Sequence, residues 1–414
     1  MELTTNIAQK YSEVRKKTME LVSPLMPEDF IPQPIIDVSP PKWNLGHTTW
    51  FFETFILKAH NPNYKVFDTN FNFVFNSYYE TIGERVLRDQ RGNLSRPELK
   101  KVFAYREYVD KHIKSFLSEG NYDEDVLNLL ELGINHEQQH QVLFITDFKY
   151  ILYSNPLKPA YTQINKDLSK PPSSLNFNEI DEDVYPIGYN GPNFHFDNEE
   201  GEHKVYLQEF SIANRLITNA EYLEFMKAGA YDKFNFWLAE GWDWLHKNNI
   251  QSPEYWFIKN GEWHYYTLGG CMPVDMNEPV THVSFYEADA FARWSGNRLA
   301  TEFEWEVACR HFANEIKPEN NFLDAQHFHP IAQENNANQL LGDTWEWTNS
   351  AYLPYPKFKI AEGAVGEYNG KFMVNQMVLR GGSCATPANH FRITYRNFFH
   401  PDKRWQFTGI RLAK

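Results

Sequence analysis

The sequence predicts an α+β protein: a helical bundle followed by a domain of short strands. Three observations carry that prediction. Residues 1–155 hold long stretches with apolar positions at helical spacing, residues 156–183 turn to Pro, Ser, Asn and Lys, and residues 184–414 show short strands, Trp-bearing turns and few long helices. The chain of 414 residues is long enough for two or three domains with sizeable cores.

Composition narrows the function. Aromatic residues make up 16%, with 12 Trp and 23 Tyr, so cores and pockets are built from rings. Forty Lys and Arg against 54 Asp and Glu leave a net charge of −14, which argues against nucleic acid or an anionic membrane as a partner. Three scattered cysteines, Cys271, Cys309 and Cys384, make neither a disulfide framework nor a structural zinc site, and they fit a reducing cytoplasm. No secretory leader and no run of about eighteen apolar residues is visible, so a cytoplasmic protein is expected.

Taken in order, residues 5–23 place Ile7, Tyr11, Val14 and Leu21 on one face of an amphipathic helix. A Pro-rich loop runs from Pro24 to Pro41. A second helix begins near Lys42, and its Trp43-Asn44-Leu45-Gly46-His47-Thr48-Thr49-Trp50-Phe51-Phe52 is apolar almost all round, as a buried helix should be. Phe71 to Glu80 reads as non-helical. An arginine-laden loop follows from Gly83 to Pro97; long structured loops of this kind are often functional, and Arg88 and Arg91 are natural clamps for a carboxylate. Ser95, with Pro97 in the first turn and Glu98 three residues on, predicts the cap of a third helix ending near Leu117. The fourth helix is expected over 123–153.

That fourth helix carries Gly133-Ile134-Asn135-His136-Glu137-Gln138-Gln139-His140. Histidines four apart lie one above the other on a helix, so His136 and His140 can chelate one metal from a rigid element. The apolar Val142-Leu143-Phe144-Ile145 plants this helix in a core. A third ligand would complete a facial site with open positions. His47, in the middle of a buried bundle helix, supplies the candidate.

In the second half five phrases stand out: Thr281–Ala288, Asn297–Glu306, Gly342–Thr348, Arg380–Cys384 and Gly409–Leu412. In that order and spacing they resemble the formylglycine-generating-enzyme or sulfatase-modifying-factor domain, a variant of the C-type-lectin-like fold. The first half resembles the DinB-like four-helix bundle. The combination resembles the ergothioneine-biosynthesis sulfoxide synthases, which are non-haem iron enzymes that join a thiol to the imidazole carbon of hercynine (Nα-trimethylhistidine). The resemblance implies Fe(II) on His47, His136 and His140. Asn76-Ser77-Tyr78-Tyr79 matches the subgroup with a tyrosine pair beside the iron, with Tyr79 as proton donor and Tyr78 as its neighbour. Arg88 and Arg91 match the residues that hold the thiol's carboxylate, Gln139 the one that reaches the hercynine imidazole, and Asn397, Phe398 and Phe399 the strip that packs against hercynine. The co-substrates implied are hercynine, cysteine or a related thiol, and O2.

Two departures from the family pattern matter, the first of them for substrate choice. Where the better-known subgroup has an aspartate that meets the amine of γ-glutamylcysteine, this chain has Phe399, which favours free cysteine. An acid two residues after the last histidine ligand is replaced by Val142. γ-Glutamylcysteine, histidine in place of hercynine and a selenium donor remain as alternatives. His-Glu-x-x-His is also a zinc-protease signature with Glu137 as base, but the metzincin extension needs a histidine where Thr146 stands. A lectin-like binding module is a further rival. A copper-dependent formylglycine generator lacks its cysteine pair, since Cys384 stands alone in its segment.

Overall fold

In the computed structural model, residues 2–120, 122–163, 170–332, 339–360 and 369–414 are described. They divide into two compact units, one of Met1–Tyr161 and one of Thr162–Ile360 with Asn369–Lys414. No helix among the described residues is long and apolar enough to cross a membrane.

The first unit is built from α1 (Glu2–Val22), α2 (Pro41–Phe52), the short α3 (Lys58–His60) and α4 (Phe71–Phe75), then α5 (Leu99–Glu119) and α6 (Glu124–Ser154). Helix α2 packs against α5 and α6, and α1 against α6, so the apolar stripes close on one core. Pro41 opens α2, where a missing N–H costs nothing. Every residue of α2 is buried, including Asn44 and His47. A π-helical turn over Glu53–Leu57 joins α2 to α3. The side chain of Asp123 accepts from Val126 N at 3.1 Å and caps α6, and Gly120 ends α5 in the left-handed region with φ 71°.

Two local expectations fail. Phe71–Phe75 is a short helix, because Phe71 and Phe75, one turn apart, both insert into the core. Ser95 does not cap α5. Glu98 keeps an extended backbone, so the first helical residue is Leu99, and no side chain caps that end.

Gly46 has a packing reason. A Cβ there would lie 2.2 Å from the Phe75 ring. Gly46→Ala is therefore expected to destabilise the unit by about 1–3 kcal/mol through overpacking, read as a fall in the urea midpoint.

The second unit contains strands β1 (Phe177–Ile180), β2 (Asp183–Ile187), β3 (His203–Leu207), β4 (Phe210–Ala213), β5 (Trp256–Lys259), β6 (Glu262–Thr267), β7 (Gly270–Pro273), β8 (Arg298–Leu299), β9 (Trp345–Ala351), β10 (Met377–Arg380), β11 (Asn397–Phe399), β12 (Thr408–Gly409) and β13 (Leu412–Ala413). They form two four-stranded sheets, ordered β1-β4-β13-β8 and β11-β10-β9-β12, the hairpin β2-β3 and the meander β5-β6-β7. Strand β1 lies inside the stretch 156–183 that composition reads as a linker, of which 164–169 are outside the described residues.

Four of the five phrases hold this unit together. Ser284 and Thr301 cap the helices Phe285–Trp294 and Glu302–Phe312 with capping boxes. Buried Glu346 receives Trp305 Nε1 at 2.7 Å and both Arg411 Nε and Nη2, at 2.6 and 2.7 Å. Arg380 reaches Glu302 and Glu306, each at 3.0 Å. Charges buried this deeply must be paired, and here four of the five phrases pair one another.

Candidate metal centre

His47 on α2 and His136 and His140 on α6 converge, with one ring nitrogen from each lying within 4.8 Å of the others. All three are buried. Two of the rings are held in a defined tautomer. His47 Nδ1 lies 2.7 Å from the Phe75 carbonyl oxygen, an acceptor, so Nδ1 carries the hydrogen and Nε2 keeps its lone pair. His140 Nδ1 lies 3.0 Å from Asn44 Oδ1. His136 Nδ1 is buried without a hydrogen-bond partner among the described residues.

Burial holds His47 and His140 well below the usual histidine range, and repulsion from neighbouring imidazoles and from Arg91 adds to it. Burial likewise pushes His136 down to about 4. The three rings are therefore neutral at pH 7, as ligation requires. Three neutral nitrogen donors suit a borderline divalent ion such as iron or zinc, and the orphaned His136 Nδ1 is the kind of buried polar atom a metal site explains. The residues fit a metal.

Aromatic rings brace the triad. His47 is stacked between Trp43, at 4.7 Å and 11°, and Trp50, at 5.7 Å and 18°. Arg91 lies over the Trp43 ring at 3.4 Å. Its Nη1 and Nη2 donate to Ser39 Oγ at 2.9 Å and Ser77 Oγ at 3.0 Å, and no carboxylate pairs with it among the described residues. Burial lowers the Arg91 pKa, so this buried cation gains from an incoming anion. Arg88 is tied down by the Ile36 and Asp37 carbonyls at 3.1 and 2.7 Å, and donates to Tyr78 Oη at 2.7 Å. Burial alone would raise the Tyr78 phenol, but Arg88 and Arg91 outweigh it and hold the phenol below its usual range. The Tyr79 ring packs on Trp50 at 5.5 Å and Phe55 at 5.2 Å, one ring removed from His47. Gln139 sits half-buried between His136 and His140 on α6.

Glu137, by contrast, is committed elsewhere. Its carboxylate accepts from Arg15 Nη1 at 2.9 Å, Thr18 Oγ1 at 2.7 Å and Arg106 Nη2. Burial would raise its pKa, but Arg106 and Arg15 override that and push it down to about 2. A carboxylate so held is a poor proton acceptor at neutral pH. The general-base reading of His-Glu-x-x-His loses its base.

Asn397, Phe398 and Phe399 belong to the second unit, on the edge strand β11. Asn397 Oδ1 accepts from Phe398 N at 2.9 Å, Phe398 stacks on Tyr352 at 4.1 Å, and Phe399 meets Trp405 edge-on at 5.2 Å. Sequence reasoning missed Ser39, which holds Arg91, Asn44, which meets His140, and Asp147, whose Oδ2 accepts from Ser39 N at 3.1 Å. For the last two the signal was spacing: Asn44 stands three residues before His47 and Asp147 seven after His140, each on that histidine's own helix face.

Comparison with known proteins agrees with this architecture. Residues 185–414 match the family model of the sulfatase-modifying factor enzyme 1-like domain, and residues 10–142 match the DinB superfamily. Among curated proteins, hercynine oxygenase of Mycolicibacterium smegmatis is 35% identical over 240 residues, covering 52% of this chain and 55% of that protein. Hercynine oxygenase of Mycobacterium tuberculosis is 34% identical over 238 residues, with the same shares covered. Ergothioneine biosynthesis protein 1 of Schizosaccharomyces pombe is 29% identical over 269 residues, covering 63% of this chain and 31% of that one. The chain thus spans about half the length of the hercynine oxygenases it matches. By its second unit the chain belongs to the sulfatase-modifying factor enzyme 1-like family, a C-type-lectin-like fold, here preceded by a DinB-superfamily helical unit.

Proposed function

We propose that the protein is an Fe(II)- and O2-dependent sulfoxide synthase of ergothioneine biosynthesis, acting in the cytoplasm on small molecules. It joins the thiol of cysteine to the imidazole carbon of hercynine and oxygenates the sulfur. The observation that carries the reading is a buried triad of neutral histidines beside a buried arginine that has no carboxylate partner among the described residues. Similarity to the hercynine oxygenases supports it. The reaction balances: thiol, imidazole C–H and O2 give the sulfoxide, with one oxygen on sulfur and the other leaving as water with the two hydrogens.

Iron(II), when bound by the three imidazoles, supplies O2 activation and the charge that favours a thiolate. The protein does the rest. Arg91, fixed by Ser39, Ser77 and Trp43, takes the cysteine carboxylate, and Arg88 adds a second charge. Gln139 orients the hercynine ring. Tyr79 donates a proton as the oxygen is reduced, a role worth about 10²–10⁴ in rate.

The two tyrosines should separate by phenotype. Tyr79→Phe is expected to lower sulfoxide formation by about 10²-fold or more and divert oxygen into cysteine dioxygenation. Tyr78→Phe removes a partner of Arg88 and should instead raise KM for the thiol with a smaller change in kcat. Product analysis for both variants checks this.

The test of the function is oxygen uptake by the anaerobically iron-loaded protein. Uptake that needs hercynine and cysteine together, and disappears in His47→Ala, is the expected result. No uptake with cysteine or γ-glutamylcysteine, alongside tight zinc binding and peptide hydrolysis, would overturn it.

A further inference from the structure

We infer that Asn44 and Asp147 form a positioning pair that sets the tautomer and aim of His140 and ties it to the anion site at Arg91. The inference rests on the metal-centre reading above and deepens it. Asn44 and Asp147 are 1% and 2% exposed, so their polar atoms must be satisfied within the protein.

The orientation of the Asn44 amide follows from its neighbours. Nδ2 lies 3.4 Å from the Ser39 carbonyl oxygen and 3.5 Å from Asp147 Oδ2, and both are acceptors. The amide nitrogen therefore faces that side, and Oδ1 faces His140 Nδ1 at 3.0 Å. An acceptor opposite Nδ1 requires a hydrogen there, which leaves the Nε2 lone pair for a metal. Asp147 Oδ2 is held in turn by Ser39 N at 3.1 Å.

Ser39 closes the link. Its backbone N–H and C=O contact the pair while its Oγ accepts from Arg91 Nη1 at 2.9 Å. Asn44 rides on α2 with His47, and Asp147 on α6 with His140, so the pair also joins the two ligand helices. The three ligands are thus held unequally: His47 by a backbone carbonyl, His140 by this side-chain chain, and His136 by no hydrogen bond at Nδ1. Removing Asn44 should act on His140 alone.

The experiment is a cobalt(II) titration of the full chain, followed by its visible absorption, with circular dichroism to confirm folding. Asn44→Leu is expected to weaken cobalt(II) binding by about 10–100-fold and to shift the cobalt bands. Asn44→Asp keeps an acceptor opposite His140 Nδ1 but sets a carboxyl group against Asp147 and the Ser39 carbonyl, so it disturbs the packing at least as much as leucine and should still bind cobalt(II) more tightly than Asn44→Leu. A purely structural role for Asn44 would not predict that order. Should Asn44→Leu fail to fold, Asp147→Ala decides, since it removes an acceptor that fixes the Asn44 amide, and weaker binding than wild type is expected. Wild-type affinity in Asn44→Leu, or Asn44→Asp binding no better than Asn44→Leu, overturns the pair. Cobalt(II) binding needs neither substrate, so failure of sulfoxide synthesis would sink the proposed reaction and leave this result standing. A wild-type protein that binds no cobalt(II) would overturn the pair as well.

Discussion

Glu137→Ala should cost the helical unit about 3–5 kcal/mol, because it strands the buried Arg106 guanidinium and leaves the buried Arg15 with Asp110 alone. Arg15 and Arg106 come from α1 and α5, while Glu137 comes from α6, so the loss loosens three helices at once. Urea unfolding of the variant, read against wild type, measures it. The pH dependence has a definite sign. The Glu137 carboxyl falls from an ordinary 4.5 to about 2 in the folded protein. Its stabilisation is therefore complete above about pH 4.5 and is lost as the pH drops from there through about 2. A residue serving as a catalytic base would show the opposite pattern, with activity lost and stability little changed.

The second large effect is on metal binding. Alanine at His47, His136 or His140 removes one of three donors, and affinity should fall by more than the roughly 10–100-fold typical of an outer partner. Folding should survive, since no buried ion pair is broken. Titration with iron(II) under anaerobic conditions, together with circular dichroism, checks both halves of the expectation. Equal affinity in any of the three variants would remove that residue from the ligand set.

The convergence of the three histidines was readable in the sequence because helical spacing is a local property. His136 and His140 are one turn apart, and His47 lies in a helix too apolar to face water. Glu137 was ambiguous for the complementary reason. Its partners stand 122 and 31 residues away, and no local pattern announces that a glutamate inside a metal motif is spent on a salt bridge. The bond between His140 and Asn44 spans 96 residues and was equally hidden. The short helix at Phe71–Phe75 formed against expectation because burial of two rings outweighed weak local preference. The second unit shows the same limit on a larger scale. Glu346, Trp305 and Arg411 stood out as separate phrases, but only the fold shows that they bind one another.

In the proposed function, oxygen chemistry at the histidine triad couples a thiol to hercynine. Its most direct test is the mass of the product formed from hercynine and cysteine under ¹⁸O2 by the iron-loaded protein. The expected product is a single C–S adduct carrying one ¹⁸O on sulfur, absent in the His140→Ala variant. Unlabelled adduct, or intact hercynine with only oxidised cysteine, would contradict it.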